Sequence, residues 1–191
     1  IRQTTFIQNH ADISGGAAYH DIQGASTYEN SLFDDNRAAI AGAGLYLNNG
    51  AVANINHSTV AGRAGNMGEG VAVNNGTLNM LSSIVAFYGV GVRNNDAASI
   101  ENTVFGGNGT DAIGVTLGAS NYLMNPRFAD SANGNYRLSP GSVAIDNAQP
   151  SAVVVDRDGN VRPFGDGPDI GAYESPYAKD QLSIQVAVEP Q

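Results

Sequence analysis

Apolar residues along this chain return at long, near-regular intervals, not at the helical spacing of three or four. Phe6, Phe33, Val60, Val85 and Phe105 stand in equivalent places, separated by 27, 27, 25 and 20 residues. Five positions before them stand Ile1, Tyr28, Ile55, Met80 and Ile100; one position before them stand Thr5, Leu32, Thr59, Ile84 and Val104. Three positions before runs a polar column, Gln3, Asn30, His57, Ser82 and Asn102. A glycine-rich block recurs in step, as Gly15-Gly16-Ala17-Ala18, Gly42-Ala43-Gly44-Leu45, Gly68-Glu69-Gly70-Val71 and Gly89-Val90-Gly91-Val92. The clearest unit reads as strand Gly44–Leu47, turn Asn48-Asn49-Gly50 and strand Val52–Val60.

Periods of roughly 20 to 50 residues mark solenoids, and short strands with Gly and Asn turns argue against helical repeats. The pattern predicts an all-β, right-handed parallel β-helix with each coil about 4.8 Å from the one before. Its apolar columns are expected to stack inside the tube, each side chain contributing roughly 1.5–3 kcal/mol by burial. The polar column is expected to be buried, with partners in register on neighbouring coils. Glycines are expected at the positive-φ corners.

The repeat divides the chain. Residues 1–120 are read as coils, with one more strand pair over Asp111–Ser120 and a tube that narrows or loses a loop as the period shortens. Residues 121–175 are aperiodic yet carry Phe128, Tyr136, Leu138, Val143, Ile145, Phe164, Ile170 and Tyr173, too apolar for a linker. They are read as a cap across the open end of the tube near Val104 and Val115, because a solenoid needs an atypical terminal unit over its unpaired edge. Arg137 and Arg162 are expected to hold that cap by pairing with Asp146 or Asp169. Residues 176–191, with the alternating stretch Leu182–Val188, are a linker or an extra strand.

Composition narrows the function. The 191 residues carry a net charge of −9, which argues against nucleic acid and anionic membranes. No apolar run is long enough to span a bilayer as a helix. The chain has no cysteine, so neither disulfide nor thiolate chemistry is available. It opens at Ile1 inside a repeat, as a piece of a longer protein would.

Two resemblances follow from motifs. Phe6-Ile7-Gln8-Asn9, Phe33-Asp34-Asp35-Asn36 and Phe105-Gly106-Gly107-Asn108 resemble the FxxN signature of polymorphic outer-membrane proteins, and Gly15–Ala18 resembles their GGA-aliphatic signature. That likeness implies a surface-exposed β-helical passenger, often adhesive. Val60 and Val85 depart from it. Asn125–Phe128, Gly134–Leu138, Pro140–Asp146, Asp156–Gly159, Arg162-Pro163 and Asp169–Glu174 are similar to the C-terminal pattern of bacterial choice-of-anchor Q proteins. This resemblance implies a pectin-lyase-like β-helix that is secreted or anchored to the bacterial cell surface. It brings no shared catalytic activity.

Catalytic candidates are sparse. Uronate lyases need a Lys or Arg base, but the one lysine is Lys179, and the coils offer only Arg2, Arg37, Arg63 and Arg93. Asp34-Asp35 is the single acidic pair. Paired carboxylates suit glycoside hydrolysis, but neighbours on a strand point to opposite faces, and a solvated corner is the preferred reading. His57 is assigned to a packed column, and His10 and His20 lack metal-ligand spacing. Asp156-Arg157-Asp158-Gly159-Asn160 resembles the opening of a Ca²⁺ loop, which Asp166 and Asp169 would complete. The alternative, which is preferred, is a turn whose Asp side chains cap backbone N–H groups. The expected function is a non-catalytic extracellular or cell-surface module: stalk, passenger or adhesin, with glycan binding as one form of it and a polysaccharide or a host- or cell-surface ligand as the candidate partner. The second reading is a carbohydrate-active lyase or hydrolase with part of its site upstream, and an exposed Tyr19–Tyr46 face beside acids would favour it.

Overall fold

In the computed structural model, which describes residues 1–63 and 67–179, the chain is a parallel β-helix with three faces. The first sheet stacks Gly24–Glu29, Ala51–Asn56, Gly76–Leu81 and Ala97–Glu101. The second stacks Thr5–Ile7, Leu32–Asp34, Thr59–Ala61, Ile84–Ala86, Val104–Gly106 and Tyr122–Leu123. The third stacks Ala18–His20, Leu45–Leu47, Glu69–Val73, Val90–Asn94 and Thr110–Ile113. The coils therefore run through Leu123, past the expected limit at 120, although no strand pair forms over Asp111–Ser120. Much of the shortening falls on the connection between the second and third faces, which shrinks to residues 87–89 and 107–109 in the later coils. The stretch Leu182–Val188 lies outside the described residues.

Register follows the repeat column by column. Tyr28, Ile55, Met80 and Ile100 stand side by side on the first sheet, and Phe6, Phe33, Val60, Val85 and Phe105 on the second. Except for Phe6, which packs at its upstream edge, all of these lie buried in one cluster with Leu45, Leu47, Val71, Val73 and Val92 of the third sheet. Close packing leaves no room at Gly70, where a Cβ would sit 2.8 Å from the Tyr88 ring. Val115 and Leu117 pack on this same inner cluster from the connection that precedes the final strand.

The strand expected over Val52–Val60 breaks at His57, and the break recurs in every coil. Gln3, Asn30, His57, Ser82 and Asn102 all have φ between 43° and 50°. Polar side chains, not glycines, therefore make this corner; short polar residues tolerate the left-handed region at modest cost. Within the column one in-register bond is seen among the described residues, Ser82 Oγ donating to Asn102 Oδ1 (2.9 Å); the longer ladder belongs to the next residue along. Ser31 N–H donates to Ser58 Oγ (3.0 Å), Ser58 N–H to Ser83 Oγ (3.2 Å), and Thr103 N–H to Asn121 Oδ1 (3.0 Å). Asparagines stitch a further corner. Asn36 accepts from Asn9 N–H (3.0 Å) and donates to Phe6 O (2.9 Å); Asn108 does the same for Tyr88 N–H (3.0 Å) and Val85 O (3.0 Å). The FxxN spacing is thus a coil-to-coil staple that satisfies backbone groups the bend leaves unpaired.

The column Leu32, Thr59, Ile84 and Val104 was expected inside the tube. It points outward and is nevertheless buried, because the C-terminal segment lies over it. That segment does not cross the end of the tube. After the antiparallel hairpin of Phe128–Asp130 and Asn135–Leu138, it runs back along the outer flank of the second sheet. A second apolar cluster forms there from Ile84, Ala86 and Val104 with Leu138, Ala144, Ile145, Ala148 and Ile170. A third joins Leu32 and Ala61 to Tyr136, Ala172 and Tyr173. The flank offers this segment several coils of outward aliphatic side chains. At Gly171 (φ 100°) a Cβ would meet Ile84 Cδ1 at 2.7 Å, and its N–H donates to Ser82 O (2.9 Å).

Two substitutions separate the inner and outer cores. Ile55→Asp puts an unpaired charge in the inner column and is expected to abolish cooperative folding; a soluble protein with a sharp melting transition would refute the column. Ile84→Ala is expected to cost about 2–4 kcal/mol in urea denaturation. A loss below about 0.5 kcal/mol, as for a surface change, would mean that the flank is bare.

Candidate functional site

The densest polar chemistry lies where the C-terminal segment meets the corner column. Each corner side chain bonds to it in reverse chain order. Asn102 Nδ2 donates to Asn147 O (2.8 Å), and both Ser82 Oγ and Asn102 Oδ1 accept from Gln149 N–H (3.1 and 2.9 Å). His57 Nε2 meets Ser151 Oγ at 2.9 Å, Asn30 Nδ2 donates to Val155 O (2.7 Å), and Gln3 Nε2 to Asp156 O (2.8 Å). The segment spans the tube from its last full coil to its first.

Beneath it sits a buried ionic cluster. Arg162 donates from Nη1 to the Glu174 carboxylate (2.7 Å) and Asp169 O (2.8 Å), and from Nη2 to Gly171 O (2.7 Å) and Asn30 Oδ1 (3.5 Å). Glu174 also accepts from the backbone of Phe164 (2.7 Å) and Asp169 (3.0 Å). Both side chains are 1% exposed. Arg162 therefore finds its partner in Glu174, not in the carboxylate of Asp146 or Asp169. Arg137 pairs with Asp158 and lies 4.8 Å from the centroid of the Tyr173 ring.

The four aspartates proposed for Ca²⁺ are not gathered into one shell. Asp156 is fully buried and spends both oxygens on capping: Asp158 N–H and Asn160 N–H (2.8 Å each), Asn160 Nδ2 (3.0 Å) and Glu174 N–H (2.8 Å). Asp169 is equally buried and accepts from Asp146 N–H (2.8 Å) and Ser175 N–H (2.6 Å). Asp158 is held by arginines, and Asp166 is exposed. No group of three or more His, Asp or Glu among the described residues is placed to hold a metal ion. The loop is a capped turn, because a carboxylate that already accepts several N–H groups gains little from a cation.

Burial sets the protonation of this cluster. His57 is pushed down to about 4, by desolvation first and by the Arg162 charge second. Asp169 is pushed up to about 7 by desolvation, against the pull of its backbone donors. Glu174 is raised and Arg162 lowered, again chiefly by burial.

The acidic pair is not a solvated corner. Asp34 and Asp35 are 2% and 6% exposed. Asp34 faces outward under the C-terminal hairpin, where Tyr136 Oη donates to it (2.6 Å) and Arg63 grips it with Nε (3.2 Å) and Nη2 (2.9 Å). Asp35 turns the next corner (φ 48°) beside Arg37 (3.4 Å). Neither is poised over a cleft as acid or base. His20 bonds to Tyr28 Oη (2.7 Å), and His10 lies beside Asp12 (3.5 Å). On the third sheet Tyr19 is exposed and Tyr46 half-buried beside it; burial first, then Tyr19, Asp21 and Glu69, raises the Tyr46 hydroxyl pKa. Their rings stack on each other, 5.2 Å apart and 11° from parallel, so each gives one face to the other.

Sequence reading named Tyr136 as an apolar residue of the cap and Arg63 as a coil arginine, but missed that they and Glu174 clamp the C-terminal segment. Arg63 and Tyr136 meet at Asp34, which is distant from both in the chain, so no local pattern marks them. Compared with known proteins, the chain matches no family model, no curated protein and no solved structure.

Two variants probe the clasp. Arg162→Met leaves the Glu174 carboxylate buried without its partner and is expected to cost about 3–5 kcal/mol, measured by chemical denaturation; an unchanged midpoint would contradict the cluster. His57 has a folded pKa below its unfolded value, so its stabilisation is present above pH 6.5 and lost as pH falls through about 4. Asp169, raised in the fold, acts in the opposite sense, so the His57 share is read by difference. His57→Asn keeps a residue suited to this corner, as Asn30 and Asn102 show. Its stability is expected to fall less than wild type between pH 6.5 and 4, by up to roughly 3 kcal/mol. Parallel pH profiles would contradict the assignment.

Proposed function

We propose that this chain is a non-catalytic module of an extracellular or bacterial cell-surface protein, serving as stalk, passenger or adhesin. One observation carries the reading: the acids and bases that might do chemistry are spent on holding the chain together. Asp34 binds Tyr136 and Arg63, His57 binds Ser151, and Arg162 binds Glu174. A general acid or base needs a reachable proton and a substrate-facing position, and these groups are covered. The motif resemblances support the same reading, since both families are secreted or surface-exposed. The absence of cysteine is compatible with it, because the fold is stitched by side-chain ladders and needs no disulfide. No helix among the described residues is long and apolar enough to cross a membrane.

The second reading, a carbohydrate-active enzyme, draws on the stacked Tyr19–Tyr46 pair beside Asp21 and Glu69, of which Tyr19 is exposed and Tyr46 half-buried. The pair offers no shared ring face to a sugar, which weakens it. Incubation with acidic and neutral polysaccharides, followed by reducing-end and unsaturated-uronate assays, decides between them. No turnover is expected. Reproducible turnover lost in Asp34→Ala or His57→Ala would overturn the non-catalytic reading.

A further inference from the structure

The C-terminal segment covers the second sheet, but the outer face of the first sheet stays open. Its outward positions are the alternate residues of four in-register strands, and only Glu29 and Glu101 among them are ionisable. Glu29 is paired with Arg2 at 3.2 Å. On a chain of net charge −9, this face is close to neutral.

A side-chain ladder crosses it in one direction. Asn79 Nδ2 donates to Asn54 Oδ1 (2.9 Å), and Asn54 Nδ2 points to Thr27 Oγ1 (3.5 Å). Each amide spends its donor on the rung before, which leaves the Asn79 carbonyl as acceptor at the downstream end. There the surface sinks into a hollow of about 250 Å³ lined by Asn56, Asn79, Met80, Leu81, Ser99 and Glu101. The Asn56 amide, Ser99 hydroxyl, Glu101 carboxylate and Asn79 Oδ1 have no hydrogen-bond partner among the described residues. Elsewhere on the tube such groups staple coils; here four line one hollow uncommitted, with the aliphatic Leu81 standing between Asn56 and Glu101 in the same row.

Sites with a few convergent polar groups over an apolar floor suit small neutral ligands. An anion would meet Glu101 with no cation lining the hollow. A cation would find one carboxylate where Ca²⁺ takes six to eight oxygens. A sugar ring matches both features, with hydroxyls that donate and accept and C–H faces that rest on Leu81. We propose that this hollow is a binding subsite for a neutral glycan chain. The proposal rests on the non-catalytic reading above, because nothing lining the hollow supplies an acid–base pair.

Affinity electrophoresis of the intact protein tests it, in gels containing hydroxyethyl-cellulose, galactomannan or mixed-linkage β-glucan, with polygalacturonate and alginate as anionic counterparts. At least one neutral polymer is expected to retard the protein. Asn56→Ala/Glu101→Gln is expected to weaken that retardation at least tenfold, and Asn95→Ala, an exposed residue at a different corner, to leave it unchanged. Both variants are outward and should melt as wild type does. Retardation by no neutral polymer, by anionic polymers alone, equally in wild type and double variant, or only without chelator would each overturn the subsite. Turnover of a retarding polymer would instead strike the non-catalytic reading, so the two failures are distinguishable.

Discussion

The structure depends on one set of hydrogen bonds, those between the left-handed corner of each coil and the C-terminal segment. A corner at φ near 48° turns its side chain away from the ladder beside it, and a polar group so placed must find a partner once covered. Residues 147–156 supply those partners in order, from Asn102 back to Gln3. The corner thereby does two jobs: it bends the chain between sheets and fixes where the C-terminal segment lies. The apolar term follows from that placement. With the segment in position, the outward Leu32, Ala61, Ile84 and Val104 become a buried surface.

This arrangement makes the protein two cores back to back, sharing the second sheet as their wall. Strands buried on both faces lose the alternation of a half-exposed strand, as Leu32–Asp34, Thr59–Ala61 and Ile84–Ala86 show. The ionic cluster around Arg162 is the cost of laying a polar, turn-rich segment over an apolar wall. Its carboxylates are tolerated because backbone N–H groups and one guanidinium satisfy them.

The solenoid was legible because burial inside a tube repeats: one side-chain type per column, one column per coil. Phe33, Val60, Val85 and Phe105 announce themselves by period alone. The direction of a column was less legible. Leu32 and Phe33 are both apolar and adjacent, and only the C-terminal segment explains why both are buried. For the same reason the polar column looked like an internal ladder; it holds one rung, from Ser82 to Asn102, while the longer ladder runs through Ser31, Ser58 and Ser83, one position on. The aspartates of residues 156–169 left both a capped turn, the preferred reading, and a Ca²⁺ loop open, because N–H capping and cation binding use the same oxygens. Asp34 read as solvated since its partners, Arg63 and Tyr136, stand 29 and 102 residues away.

The central claim is that the C-terminal segment returns along the flank to the first coil instead of closing the far end. The chain lacks cysteine, so a pair introduced as Thr5→Cys and Arg157→Cys can be trapped cleanly with a short bismaleimide. Arg157 reaches the Thr5 hydroxyl in this fold. Thr5 and Val104 lie four strands apart on the second sheet, about 19 Å at the spacing of parallel strands. Rapid intramolecular cross-linking of the folded monomer, lost on denaturation, is the result the flank placement predicts. Two free thiols that never bridge in the folded protein would contradict it.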